Sequence, residues 1–105
     1  MRRGDVVTVA LSGDYGTPRP ALVIQADVFQ SDESLTILPI TTHLLDAPVV
    51  RIGVGGEAGL ERPSQIQVDK VQTAHRGRFG RVIGQVDDAT LRAVNRALTV
   101  FLGLA

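Results

Sequence analysis

A mainly β domain finished by one C-terminal helix is the fold class this sequence predicts: a small, strongly bent sheet or barrel with the helix packed on it. Two observations carry the prediction. Short apolar and β-branched runs recur from Val6 to Val86, separated by turns rich in Gly and Pro. After Asp87 the period changes, and Leu91, Val94, Leu98 and Phe101 recur at three- and four-residue steps, which is a helical stripe. The length of 105 residues suits one domain spanning 1–105, with no linker, internal repeat or low-complexity tract.

Taken in order, Val6–Leu11 reads as a strand by its β-branched content. A polar, Gly-rich loop, Ser12–Pro18, separates it from Ala21–Ile24, a continuous apolar run of the kind buried on both faces. Leu35–Thr41 is a third strand. Pro39 lacks a ladder donor, so this strand is expected to bulge or to lie at an edge near its end. Pro48–Ile52 is a fourth strand, residues 53–59 form a Gly-rich connection, and Ser64–Val68 and Arg81–Val86 are two more strands. Asp87 or Asp88 can cap the helix and Gly103 can end it. Phe101 is expected in the helix core.

The composition narrows the function classes. With 44% apolar residues an ordinary core is possible. The absence of cysteine removes disulfides and thiolate metal sites and fits a reducing cytoplasm. No apolar signal core follows Arg2 and Arg3, and the longest apolar runs are too short for a bilayer, so a cytoplasmic protein without a membrane partner is expected. The net charge is zero, yet it is segregated. Five arginines against nine acids leave residues 1–69 at −4, and six Lys/Arg against Asp87 and Asp88 leave residues 70–105 at +4. Segregation of this kind makes either a positive patch for an anionic partner or simply two solvated faces.

Few constellations could do chemistry. His43 and His75 are far apart and have no acid at ligand spacing, so no metal site is expected. The glycines of residues 53–56 lack the Lys-Ser/Thr of a phosphate loop and read as a turn. Three places remain. Arg19 stands between Pro18 and Pro20, where the backbone is stiff. It is suited to grip a phosphate bidentately, or else it pairs with Asp14. Thr41 and Thr42 end a strand, where side chains emerge into a cleft, or else form a pair on a pleated face. Gln65, Gln67 and Asp69 share one side of an extended segment, as a site or as the polar face of a strand.

These pieces, in this order and with these gaps, resemble the MazF/PemK (Kid) toxins of bacterial type II toxin–antitoxin pairs. Arg3-Gly4-Asp5-Val6-Val7 is similar to the opening RGDVW, and Arg19-Pro20-Ala21-Leu22-Val23-Ile24 to TRPVLVI. Leu38-Pro39-Ile40-Thr41-Thr42 resembles the strand ending P-[IV]-T, and Val68–Thr73 the segment CDQ-x-RT. Gly80–Val86 resembles GRRIGRL, and Val94–Gly103 the terminal VxxALxxxLGL. The likeness covers nearly the whole chain.

The resemblance implies an SH3-like barrel (the CcdB/MazF-like fold) that forms a homodimer. It also implies a cofactor-free, metal-independent endoribonuclease that cuts single-stranded RNA, mainly mRNA, at short sequences, and that a cognate antitoxin neutralises. In the implied reaction the ribose 2′-OH attacks the neighbouring phosphate, leaving a 2′,3′-cyclic phosphate and a 5′-OH. On this resemblance Arg19, Thr41 and Asp69 are catalytic, Asp69 as a candidate base. Tyr15, Thr42, Gln67, Lys70, Arg76 and Arg78 bind RNA. Gln67 and Gln72 stand where relatives carry arginines, and the first loop is shorter than usual, so cut-site preference does not transfer. Two rivals remain: a CcdB-like gyrase poison, which the lack of Trp disfavours, and an inactive binder of antitoxin or RNA.

Overall fold

The computed structural model describes residues 1–11, 17–30 and 33–105. Val6, Val7 and Val9 are fully buried, so β1 (Asp5–Val9) is covered on both faces. It lies between β2 (Arg19–Val23) and the strand Phe79–Gln85, antiparallel to both. Beyond β2 comes β3 (Ser34–Thr41). The far edge of β3 is shared by two short strands, β5 (Ser64–Gln67) and β6 (Gln72–His75), and β4 (Arg51–Val54) pairs outside β5. With Phe79–Gln85 as β7, the sheet order is β4-β5-β3-β2-β1-β7, with β6 beside β3.

Pro39 sits where β3 changes partner. Ser34–Ile37 pairs with β6, and Ile40 and Thr41 pair with β5. The Ile24 N–H donates to the Thr36 carbonyl at 3.2 Å, so by alternation the Pro39 nitrogen faces away from β2, into the break between β5 and β6. The missing donor falls where there is no ladder to complete. This corrects the edge or bulge expected from the sequence, since β3 is central.

The two ends of the sheet, β4 and β7, do not pair, so the sheet curls without closing. A 3-10 turn at Gly56–Ala58 closes against β7 instead. Backbones touch there. A Cβ on Gly59 would meet the Ile83 carbonyl oxygen at 2.1 Å, and one on Gly84 the Ala58 oxygen at 2.2 Å. Gly59 also has φ 86°, in the left-handed region.

Strand alternation splits the core in two. Val6, Leu22, Leu38 and Ile66 point to one face and pack with Val68 and with Val94 of α1 (Asp88–Phe101). Val7, Val9, Ala21, Val23, Leu35 and Ile37 fill the other face with Ala74. Each fully buried Leu, Ile or Val contributes about 1.5–3 kcal/mol. The Asp87 side chain accepts from the Thr90 N–H at 2.8 Å and caps the helix. At the other end Gly103, with φ 74°, donates to Val100 at 3.1 Å and Leu104 to Thr99 at 2.8 Å, a Schellman ending.

Two further expectations are corrected, and one strand, β6, was not foreseen. The fourth strand starts later than Pro48, because the Val50 and Arg51 N–H groups both donate to the Ala47 carbonyl, at 3.1 and 2.9 Å, and turn the chain. β6 has no apolar alternation to betray it, since only Ala74 is buried. Phe101 is 45% exposed and lies outside the helix core, which Val94 anchors.

Candidate active site

The ends of β2 and β3 and the segment following β5 converge on one cleft of about 380 Å³. Its polar lining is Arg19, Thr41, Thr42, Gln67, Lys70 and Gln72. Its apolar wall includes Leu11, Pro20 and Pro39. Arg19 is the first residue of β2 and pairs with Val9 of β1, so its backbone is fixed by the ladder as well as by its two prolines. β3 lies next to β2 and places Thr41 at its C-terminal end. Gln67 ends β5, whose Gln65 lies opposite Thr41. Gln65 and Gln67 share a face by alternation, and that face carries the cleft.

The Thr41 hydroxyl is oriented. Its Oγ1 accepts from the His43 N–H at 3.0 Å. A hydroxyl has one proton to donate, and using an oxygen lone pair in this way leaves that proton available to the cleft. The chain beyond Thr41 is held by β5 and β4. The Gln65 amide makes two bonds to the Leu45 backbone, accepting from its N–H and donating to its carbonyl, each at 3.0 Å. Arg51 Nη1 donates to the His43 carbonyl at 3.3 Å and reaches Gln65 Oε1 at 3.5 Å.

The other sequence-predicted residues stand apart from this group. Asp69 lies on the 3-10 turn Val68–Lys70, between β5 and β6, and does not line the cleft. Its Oδ1 is buried and finds no hydrogen-bond partner among the described residues. Arg76 and Arg78 belong to the turn before β7, away from the cleft. Arg78 Nη1 donates to the Ala10 carbonyl at 3.2 Å, and the Arg78 carbonyl accepts from the Ala10 N–H at 2.9 Å, so this residue ties down the end of β1. Tyr15 lies outside the described residues. Sequence reasoning missed Arg51, whose only signal was its charge; it sits opposite Gln67 in the β4–β5 ladder, and no sequence pattern gives that register.

Among the described residues no group of three or more His, Cys, Asp or Glu side chains is placed to hold a metal ion. Among the described residues no helix is long and apolar enough to cross a membrane.

Comparison with known proteins gives consistent matches. The family profile described as the PemK-like, MazF-like toxin of type II toxin–antitoxin systems matches residues 2–102. The chain is 42% identical to the probable endoribonuclease MazF of Mycolicibacterium smegmatis, covering 100% of this chain and 99% of that one. Among solved structures, the Mycobacterium tuberculosis toxin MazF-mt6 superposes with a TM-score of 0.85 at 24% identity, covering 96% of this chain and 98% of the other. An endoribonuclease from Mycobacterial species, in complex with its cognate antitoxin, superposes with a TM-score of 0.83 at 22% identity, covering 100% and 97%. These two likenesses are of fold.

Proposed function

We infer the function from one premise: the chain belongs to the PemK-like, MazF-like toxin family of type II toxin–antitoxin systems. It is a toxin endoribonuclease that a cognate antitoxin neutralises. The observation that carries the chemistry is the pairing, in one cleft, of a braced arginine with an oriented hydroxyl. RNA cleavage without a cofactor needs donors for the charge that grows on the phosphoryl oxygens. Arg19 supplies a guanidinium fork, and Thr41 supplies an O–H. The 2′-OH of the ribose attacks the adjacent phosphorus and forms an O2′–P bond. The P–O5′ bond breaks, which leaves a 2′,3′-cyclic phosphate and a 5′-OH.

Two protons must move. Asp69 is assigned as acceptor of the 2′-OH proton; because it does not line the cleft, it acts through a water. Gln67 has no proton of suitable acidity, so Arg19 serves the leaving oxygen as well as the phosphoryl oxygens. Thr42, Gln67 and Lys70 hold the flanking RNA, and Tyr15, Arg76 and Arg78 extend that contact. The protein acts as a homodimer. Val100, Phe101, Leu102 and Leu104 are exposed at the end of the helix, and the outer edges of β4 and β7, which pair with no strand among the described residues, support association. The antitoxin's acidic tail is expected to compete with RNA for Arg19 and Lys70, and salt should weaken its binding.

The test is cleavage of a mixed-sequence RNA in excess EDTA, with chemical identification of the new ends. Cyclic-phosphate and 5′-OH ends are expected. Activity lost to EDTA and restored by Mg²⁺, or 5′-phosphate ends, would contradict the mechanism.

A further inference from the structure

We propose that Gln65 and Arg51 are positioning residues that fix the turn Thr42–Leu45, and that this turn sets which RNA sequences the cleft accepts. The inference rests on the endoribonuclease reading above. Its basis is a clamp. One glutamine side chain makes both a donor and an acceptor bond to a single residue's backbone, Leu45, at 3.0 Å each. An amide in this role has one workable orientation, because the opposite one would set its NH₂ against the Leu45 N–H and the Arg51 guanidinium. Arg51 adds the bond to the His43 carbonyl at 3.3 Å. The segment is not part of a strand, so these side chains do for its backbone what a ladder does elsewhere.

What the clamp displays is suited to contact with bases. Thr42 lines the Arg19 cleft and also a neighbouring hollow of about 600 Å³, so with Pro20, which lines both as well, it stands on the boundary between the two. Leu44 and Leu45 follow at 54% and 45% exposure. Apolar side chains held rigidly beside a phosphate site can contact base faces and base edges without donating charge, and a preorganised surface loses little freedom on binding. Charge alone would hold any RNA equally. The fixed turn is therefore a part of the site that can discriminate. Thr41 itself is less exposed to the clamp's loss, since its ladder pairing with Gln65 is made by backbone.

The experiment compares wild type with Gln65→Ala and Arg51→Ala, using a random-sequence RNA pool with 5′-end mapping and steady-state kinetics on the best wild-type site. Amide hydrogen exchange of Leu45 is measured in the same three proteins, well below their melting temperatures. Loss of the clamp is expected to speed exchange at Leu45 and to broaden the set of sites cut. It should lower kcat/KM on the best site by about 10- to 100-fold, mainly through KM. Gln65→Glu, which keeps the acceptor for Leu45 and gains a charge partner in Arg51, should recover part of the site preference. A merely structural role would reduce the cutting of all sites in proportion to the unfolded fraction and leave the pattern unchanged. An unchanged pattern with fast Leu45 exchange overturns the proposal, and so does wild-type Leu45 exchange in Gln65→Ala. A wild-type protein that cuts no RNA overturns instead the functional reading from which the proposal starts.

Discussion

Arg19 and the Arg76–Arg78 turn carry the same charge in opposite settings. Arg19 comes from the acidic part of the chain, where residues 1–69 have a formal charge of −4. It is the first residue of a strand whose last three residues, Ala21, Leu22 and Val23, are fully buried, and it lines a cleft with an oriented hydroxyl. Arg76 and Arg78 come from the basic part, at +4, on a short turn whose cap is the His75 Nδ1 accepting the Gly77 N–H at 3.1 Å. One of the two, Arg78, uses its guanidinium on the backbone carbonyl of Ala10, the residue after β1. The comparison teaches that the distribution of charge along the sequence does not locate the chemistry. Of the cationic residues in the basic segment only Lys70 lines the cleft. A cation near an RNA contributes salt-dependent affinity, whereas a cation held at a fixed point can follow charge as it develops.

The comparison yields graded effects. Arg19→Lys keeps the charge and loses the planar fork, so single-turnover cleavage should fall about 100- to 1,000-fold while the circular dichroism spectrum and melting stay as in wild type. Cleavage within a few-fold of wild type would mean that charge, and not geometry, matters at this position. Asp69→Asn probes a residue outside the cleft. If Asp69 accepts the proton through a water, the single-turnover rate falls about 10²–10⁴-fold while melting stays as in wild type; a lower rate that follows a loss of stability would assign Asp69 a structural role. Reversal of Arg76 to Glu should reduce RNA affinity only a few-fold. It should reduce the salt dependence by about one counterion, without changing the maximal rate; binding at several salt concentrations reads this directly.

The smallest effect is expected far from both regions. Hydrogen bonding by Thr90, through its side chain and its backbone N–H, holds the Asp87 carboxyl below the usual carboxylate range. A carboxylate lowered on folding stabilises the protein above its unfolded-state pKa, and that stabilisation is lost as the pH falls through its lower folded-state value. Asp87→Ala should therefore lower the melting temperature slightly at neutral pH, and the gap from wild type should narrow in acid. A gap that widens in acid would contradict the cap. Cleavage at neutral pH should be unaffected.

Much of this architecture was legible in the residues. The strands rich in Val and Ile and the helical stripe announce themselves, because burial on a sheet or on a helix demands a period. Arg19, Thr41 and Gln67 were legible as candidates because prolines and strand ends mark where side chains leave the sheet. β6 was not, since Gln72-Thr73-Ala74-His75 buries one small residue and has no pattern to read. Pro39 misled for a physical reason: proline is excluded only where a ladder needs its N–H, and on β3 the ladder is interrupted at that point. The clamp on Leu45 depends on the register that sets Gln65 against Thr41 and Arg51 against Gln67, and register is a tertiary property.

One measurement tests the central claim most directly: parallel single-turnover cleavage of one RNA, at saturating protein and in EDTA, by wild type, Arg19→Ala and the double reversal Arg76→Glu/Arg78→Glu. Saturation removes affinity from the comparison. If the braced arginine at the strand end carries the reaction, Arg19→Ala is reduced by about 100-fold or more and the double reversal stays within a few-fold of wild type. Cleavage by Arg19→Ala at the wild-type rate, or a double reversal as inactive as Arg19→Ala, would place the chemistry elsewhere and contradict the account.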